Sequence, residues 1–223
     1  MRHLSMLVST AMLAALTAIC LLSDPLAAQQ PPPPSRDPSM ARPTGEAPGC
    51  TLRQDMRKLW TDHVVWTRDY IIAAVDDKPD QEAAAKRLLK NQEDIGRAVG
   101  AFYGSQAGDA LTKLLKEHIT IAVDLIKAAK TGDNAQVTEV NGTWQRNAND
   151  IAEFLSKANP NWPKATLAEM MQMHLTTTTA EVKARLDKNW DADVKAYDEV
   201  YEHILKMSDA LTDGIVKQFP DRF

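Results

Sequence analysis

The chain has 223 residues, of which 26 are Lys or Arg and 30 are Asp or Glu, so its formal net charge at neutral pH is −4. No stretch is strongly basic, which makes nucleic acid and anionic membranes poor candidates for a partner. The sequence contains no glycine-rich phosphate loop, nucleophile elbow or zinc-protease motif, and this excludes the enzyme classes that depend on them.

The N-terminus has the pattern of a secretory signal peptide covering residues 1–28. A polar start at Arg2 precedes an almost wholly apolar stretch, residues 4–22, and small residues allow cleavage after Ala28. Because no Lys/Arg-rich stop-transfer segment follows, we predict no membrane insertion after cleavage and a periplasmic or secreted location. A retained N-terminal anchor and lipidation at Cys20 are the alternatives.

Residues 29–50 form a proline-rich linker. Residues 29–49 contain seven prolines and no apolar periodicity, a composition typical of extended, solvated chain. Once the signal peptide is removed, Cys50 is the one remaining cysteine. One cysteine cannot close a disulfide within a chain, so a dimer linked through Cys50 is an open expectation.

Residues 51–223 are predicted to fold as an all-α bundle. Apolar residues recur at helical spacing, as at Leu111, Leu115 and Ala122, and no window alternates as a strand would. Short segments rich in Gly, Pro, Asn and Asp separate the helices, so consecutive helices are expected to run antiparallel, up and down. The six predicted helices span about 51–76, 80–102, 106–130, 134–157, 164–188 and 191–218.

A polar residue recurs at a step of about 28 residues, once in each predicted helix. The series is His63, Asn91, His118, Asn147, His174 and His203. Residues 88–99 and 144–155 also share the pattern Asn-x-x-Asp-Ile. A repeat of this length indicates three helical hairpins built on one plan. Since the midpoints of antiparallel helices meet at one level, the series predicts a single polar layer in the apolar core.

Two aspartates are also predicted to belong to this layer. Asp94 and Asp150 each follow an asparagine of the series by three residues, so each is expected to share its helix face. The candidate ligand-binding residues are Asn91, Asp94, Asn147 and Asp150, and the candidate metal-binding residues are His63, His118, His174 and His203. No residue is assigned a catalytic role.

The sequence leaves the purpose of this layer open. A buried polar group that is left unpaired costs about 1–3 kcal/mol, so the layer must satisfy itself or a bound group. One interpretation is a hydrogen-bonded network, with His63 or His118 bonded to Asp94 and His174 bonded to Asp150, that fixes the register of the helices. The other is a site for a transition metal, haem or another small ligand, because neutral imidazole is a good metal ligand.

The residues that precede the four histidines exclude one class of metal site, the ferritin-like di-iron site. A ferritin-like di-iron site needs Glu-x-x-His on two helices. The residues three positions before the histidines are Trp60, Leu115, Met171 and Val200.

The chain also resembles a family of small, uncharacterised bacterial helical proteins. The resemblance covers roughly residues 51–223 and is carried by LRQDMRKLWTDHVVWTRDYII, LLKNQEDIGRAVGAFYG, LLKEHITIAV, NANDIAEFL and DALTDGIVKQFP. Members often carry the labels glycosyltransferase or acetylglutamate kinase, which imply an α/β nucleotide-binding architecture that this sequence does not offer. The resemblance therefore implies a helical fold and no particular reaction.

From the sequence we expect an exported, non-enzymatic binding module that holds a metal ion or small ligand at the polar layer. The first alternative is a structural or interaction protein of the cell envelope in which the layer only fixes helix register. The second alternative is an oxidoreductase that uses a bound metal or haem.

Overall fold

The computed structural model describes residues 49–223, so the predicted signal peptide and nearly all of the proline-rich linker lie outside the described residues. The helices are α1 (Cys50–Val75), α2 (Gln81–Tyr103), α3 (Ser105–Thr131), α4 (Asn134–Ala158), α5 (Lys164–Leu186) and α6 (Trp190–Gln218), followed by a 3-10 turn, Pro220–Arg222. Every predicted helix is present, and every end lies within two residues of its predicted position.

Glycine and capping side chains set several of the helix ends. Gly104 and Gly132 end α2 and α3 with φ angles of 89° and 75°, which glycine adopts without steric cost. The Asp133 carboxylate accepts a backbone N–H of the first turn of α4 at 3.0 Å, and the Asn189 side chain does the same for α6 at 3.2 Å. The connections are therefore short and reverse the direction of the chain.

The six helices form a closed ring. Each helix packs against its neighbours in the chain, and α1 packs against α6. At this last interface the Arg57 guanidinium donates to both carboxylate oxygens of Asp209 at 2.8 and 2.5 Å, and Arg53 lies 3.1 Å from the same carboxylate. The prediction of an all-α, up-and-down bundle is confirmed.

One end of the bundle is filled by aromatic rings and is called the aromatic end. Its rings are Phe102, Tyr103, Trp162, Phe219 and Phe223. The Tyr103 hydroxyl accepts a hydrogen bond from Asn159 Nδ2 and donates one to Gln218 Oε1, both at 2.8 Å. These bonds tie α2, the α4–α5 loop and α6 together and so close this end. The opposite end, called the far end, carries the loops 76–80, 132–133 and 187–189.

Glycines allow α2 and α3 to pack backbone against backbone. A Cβ added to Gly108 would lie 2.6 Å from the Gly96 carbonyl oxygen and 3.0 Å from the Gly100 Cα atom. A Cβ added to Gly96 would lie 2.7 Å from the Gly108 carbonyl oxygen. These are distances at which the two helices would have to separate, so the glycines are required by packing rather than by backbone conformation.

We predict that Gly108→Ala destabilises the protein by about 1–3 kcal/mol, because the added methyl group forces α2 and α3 apart. The matched control is Gly142→Ala on α4, where the added Cβ would meet only the Arg146 guanidinium, at 3.7 Å. That variant should be more stable by about 0.5–1 kcal/mol, since alanine favours the helix over glycine. Denaturant unfolding checks both, and equal effects of the two substitutions would contradict the packing argument.

Candidate functional site: a polar layer and a side pocket

Three of the four histidines of the predicted polar layer meet at the centre of the bundle. His63 on α1, His118 on α3 and His174 on α5 are exposed by only 3%, 3% and 4%. The ring centroid of His174 lies 5.7 Å from that of His63 and 5.9 Å from that of His118. Because α1, α3 and α5 alternate around the ring, the three imidazoles approach from different sides and lie at one level.

Each even-numbered helix makes the same kind of hydrogen bond to the preceding helix at this level. An Asn or His side chain donates to the backbone carbonyl that lies four residues before the histidine of the preceding helix. The three bonds are Asn91 Nδ2 to Leu59 (2.9 Å), Asn147 Nδ2 to Leu114 (3.1 Å) and His203 Nε2 to Met170 (2.8 Å). The sequence repeat therefore corresponds to a repeated contact, one for each hairpin.

Asn147 fixes the tautomer of His118. Because Asn147 Nδ2 donates to the Leu114 carbonyl, its Oδ1 atom is an acceptor, and that atom lies 2.7 Å from His118 Nδ1. His118 must therefore carry its proton on Nδ1, which leaves a lone pair on Nε2. Within residues 49–223 this buried Nε2 atom has no hydrogen-bond partner. Asn147 thus holds the His118 ring in an orientation that leaves its Nε2 lone pair unused.

Gln92 fixes the opposite tautomer of His63. Gln92 Nε2 lies 3.2 Å from His63 Nδ1 and donates to the Leu88 carbonyl at 2.9 Å. An amide nitrogen can only donate, so His63 Nδ1 accepts and the proton is on Nε2. Sequence reasoning missed Gln92, which is fully buried, although it continues the apolar stripe of Leu88 and Ile95 at helical spacing.

A cavity of about 30 Å³, called the central cavity, lies against the three histidines. Its other lining side chains are apolar and come from both sides of the polar layer, including Met56, Trp60, Leu115 and Met171. This volume is about the share that one water molecule occupies in the liquid. The central cavity is therefore too small for an organic ligand or a haem group.

The three imidazoles are neutral at neutral pH. Burial lowers the pKa of His63 to about 3 and that of His118 to about 4, and repulsion from His118 adds to the lowering at His63. Burial, with repulsion from the neighbouring histidines, also holds the pKa of His174 well below its usual range. The centre of the protein therefore carries polar groups without carrying charge.

The two aspartates assigned to the layer lie outside it, so this part of the prediction is wrong. The Asp94 carboxylate pairs with Lys90 at 2.8 Å and Arg97 at 3.1 Å at the surface, and Asp150 is exposed. A step of three residues turns a helix by about 300°, which leaves the aspartate about 60° away from its asparagine. Gln92 and Asn147 make the hydrogen bonds to His63 and His118 instead, and within residues 49–223 the buried His174 Nδ1 atom has no hydrogen-bond partner.

His203 belongs to the level of the layer but does not reach its centre. Its side chain is half-buried, and its Nε2–H is used by the Met170 carbonyl. Burial lowers the pKa of His203 as well. The fourth histidine of the repeat therefore takes the place that Asn91 and Asn147 occupy in the other two hairpins.

A larger cavity of about 520 Å³, called the side pocket, opens between α3, α4 and α5 toward the far end. Its lining residues are Thr67, Tyr70, Leu88, Ile119, Ala122, Val123, Leu125, Ile126, Ala129, Asn134, Val137, Asn141, Trp144, Thr178, Thr179, Val182, Lys183, Leu186 and Asp187. The Trp144 ring lies 5.2 Å from the His118 ring, which lines the central cavity. This ring pair therefore separates the side pocket from the polar layer.

Two side chains in the pocket lining hold buried polar atoms without hydrogen-bond partners among the described residues, Trp144 Nε1 and Thr178 Oγ1. Thr178 belongs to a run of four threonines on α5. The other three, Thr176, Thr177 and Thr179, donate to the carbonyl four residues earlier, at 2.9, 3.0 and 2.7 Å. Thr178 departs from this pattern and keeps its hydroxyl at the pocket wall.

Sequence reasoning also missed a buried ion cluster that joins α1, α5 and α6. The Arg68 guanidinium donates to Glu181 at 2.9 Å and to both carboxylate oxygens of Asp193, and the two acids are each 1% exposed. Arg185 lies 3.4 Å from Asp193 and also pairs with Asp76. Burial outweighs the attraction of Arg68 and raises the pKa of Glu181 to about 7. Charged side chains are rarely buried, so the sequence pattern gives no signal for this cluster.

Two findings limit the kinds of site on residues 49–223. No three His, Cys, Asp or Glu side chains are placed so that they could hold one metal ion together. None of the six helices has both the length and the apolar character needed to cross a membrane.

Comparison with known proteins adds no relative. No family model, no curated protein and no solved structure matches the chain. The class of protein is therefore defined by its architecture, a closed six-helix bundle made of three similar hairpins, with a layer of neutral polar groups and a side pocket.

The buried titratable groups predict how stability depends on pH. Unfolding near pH 5 lets three histidines take up protons, because their native pKa values lie well below the unfolded value of about 6.5. Glu181 acts in the opposite sense, since it is protonated in the native state and releases a proton on unfolding. The balance is about two protons taken up, so stability should fall by about 3 kcal/mol for each pH unit lost near pH 5.

Denaturant unfolding at a series of pH values between about 5 and 6, below the unfolded histidine pKa, measures this slope. We expect His118→Leu to reduce the uptake to about one proton and Glu181→Gln to increase it to about three. Stability that does not change with pH in this window would show that the histidines are not held neutral by burial.

Proposed function

We propose that the protein is a non-enzymatic binding module that holds one small, largely apolar molecule in the side pocket. The observation that carries the proposal is the pocket itself. Its volume of about 520 Å³ is within the range of about 300–1,000 Å³ that ligand pockets typically have, and aliphatic side chains supply most of its lining. In this proposal the polar layer lies behind the inner wall of the site, in contact through the His118–Trp144 ring pair.

The surroundings of the pocket support entry of a ligand from solvent. The first buried residue of α4 is Trp144, so residues 134–143 cover the pocket without being packed into the core. The interface of α4 with α5 is the sparsest between neighbouring helices of the ring. A helix half that is held so lightly can move outward at small cost, which gives a ligand a route in.

The chemistry of the lining supports binding rather than a reaction. Its polar members are three threonines, two asparagines, Tyr70, Trp144 and the pair formed by Lys183 and Asp187. None of them joins a nucleophile to a neighbouring base, the arrangement on which covalent catalysis depends.

A metal ion or haem held by His63, His118, His174 and His203 has weaker support. The lone pair on His118 Nε2, with Nδ1–H held by Asn147, is the arrangement that metal-bound histidines use. However, His203 Nε2 is engaged by Met170, and the central cavity has only about the volume of one water molecule. A metal- or haem-dependent oxidoreductase is therefore less well supported than ligand binding in the side pocket.

We further propose that the module works outside the cytoplasm, at the end of the linker formed by residues 29–50. The apolar run and cleavage pattern of residues 1–28 support export. The net charge of −4 argues against nucleic acid as a partner. Cys50 is half-buried at the first position of α1, next to the linker, and a disulfide-linked dimer through it stays a prediction.

A second candidate function is structural, with the polar layer acting as a register lock in an interaction protein of the cell envelope. The observation that favours it is the side-chain-to-carbonyl bond made once in each hairpin. Buried polar contacts of this kind are known to fix register among similar helices. The two functions are compatible, since a fixed layer would also hold the wall of the side pocket.

The binding proposal predicts that the uncharged fluorescent probe N-phenyl-1-naphthylamine binds at one saturable site. Ala129→Phe places a ring in the pocket and should weaken binding by at least about tenfold, which corresponds to about 1.4 kcal/mol. Fluorescence titration measures the affinity. The matched control is Ala110→Phe, an exposed position on the same helix outside the pocket, which should leave binding unchanged.

The proposal fails if the probe does not bind, or if both phenylalanine variants bind it as well as the original protein. Circular dichroism and thermal melting of each variant confirm that the bundle is intact before binding is compared.

The register lock predicts strong coupling between His118 and Asn147. Asn147→Leu alone should destabilise the protein by about 1–3 kcal/mol, because it leaves the buried His118 Nδ1–H without an acceptor. The double variant His118→Leu, Asn147→Leu should recover most of this loss, since both polar groups are then gone. Gln145→Leu, at an exposed amide on the same helix, is the control, and an equally stable Asn147→Leu protein would contradict the lock.

A further inference from the structure

The side pocket is a groove that runs parallel to the helix axes. On α3 its lining residues recur every three or four positions from Ile119 to Ala129, which is about 15 Å at 1.5 Å per residue. On α5 the lining follows the same spacing from Thr178 to Leu186, and Asp187 continues it just after the helix. A space shaped in this way accepts an extended chain lengthwise between two helices, with α4 over it.

Polarity changes along the groove. At the inner end the lining combines Ile119, Trp144 and Leu88 with the uncharged hydroxyl groups of threonines, next to neutral histidines. Most of the middle is aliphatic, with one tyrosine and one asparagine among the lining side chains. The charged residues of the lining, Lys183 and Asp187, both lie at the rim of the far end, beside Asn134. A molecule that matches this distribution is uncharged along the groove, largely aliphatic, and has its most polar group at the rim.

The charges at the rim indicate which polar end fits best. The Lys183 ammonium group is paired with the carboxylate of Asp187, four residues further along the chain, so the rim has no net charge. A carboxylate at the end of the ligand would lie beside Asp187 and would compete with it for Lys183. An uncharged or zwitterionic end can accept from Lys183 and donate to Asp187 or Asn134 without breaking the pair.

We infer that the ligand of the side pocket is a single-chain amphiphile. Its aliphatic chain lies along the groove between α3 and α5, and its uncharged or zwitterionic head stays at the rim formed by Asn134, Lys183 and Asp187. The inference rests on the proposed function, because it names the class of molecule that the same pocket binds.

The test measures how affinity depends on chain length. Saturated monoacylglycerols of increasing length, kept below their micelle concentrations, displace N-phenyl-1-naphthylamine from the full chain. Each added methylene that enters the groove should raise affinity by about fourfold. The gain should stop once the extended chain is longer than the groove of about 15 Å.

A variant at the inner end locates the chain. Ala122→Phe fills the groove near the polar layer and leaves the rim unchanged, so affinity should stop rising at a shorter chain length than in the original protein. The matched control is again Ala110→Phe, which should leave the whole series unchanged. A shift that occurs in Ala122→Phe and not in the control places the end of the chain beside α3.

A change in the rim charge tests the head group. In the original protein the fatty acid should bind a few-fold more weakly than the monoacylglycerol of the same chain length, because charges at an exposed rim interact only weakly through solvent. Asp187→Asn removes the repelling carboxylate and should raise the affinity of the fatty acid to that of the monoacylglycerol. Asp150→Asn, an exposed carboxylate outside the pocket, should leave the difference in place.

The outcomes separate the inference from the proposed function. If the naphthylamine probe binds but affinity does not depend on chain length, the inference is overturned and the binding module stands. The inference is also overturned if affinity rises equally with chain length in the original protein and in Ala122→Phe, because the ligand's chain then lies elsewhere. If neither the probe nor any amphiphile binds, the proposed function falls and the inference falls with it.

Discussion

The structure depends on a hydrogen bond from a side chain of one helix to the backbone of the preceding helix. Asn91, Asn147 and His203 each make this bond, at the same height in each hairpin. A carbonyl oxygen has two lone pairs, so it can accept this bond and still serve its own helix. Sliding one helix by a single turn would move donor and acceptor about 5.4 Å apart. The level at which the histidines meet is therefore set by these bonds.

Buried polar groups are handled in two different ways in this protein. The centre holds neutral imidazoles, two of which bond to the amides of Gln92 and Asn147. The contact between α1, α5 and α6 instead holds ionisable groups bonded to each other, with Arg68 between Glu181 and Asp193. Packing of α2 on α3 uses neither and relies on glycines. Among the described residues, the half of the α4–α5 contact nearest the far end has neither a buried polar contact nor a close glycine contact of this kind. The side pocket lies there.

The sequence was sufficient for the helices and for the level of the polar layer, because both follow from periodicity. It could not identify which neighbours complete the layer. Asp94 and Asp150 fit the helical spacing but lie at the surface. Gln92 bonds to His63 from a position that periodicity alone assigns to an apolar core residue. The side pocket could not be foreseen, since an apolar residue that lines a cavity has the same pattern as one that fills the core.

The weak attachment of residues 134–143 has a consequence for how the molecule opens. Helical segments of this length are marginal on their own, and this one adds no buried side chain to the core. Its opening therefore requires much less free energy than unfolding of the whole bundle. We therefore expect a partly open state in which α4 is split just before Trp144 while the histidine layer is complete. In such a state the side pocket would be open to solvent without loss of the fold.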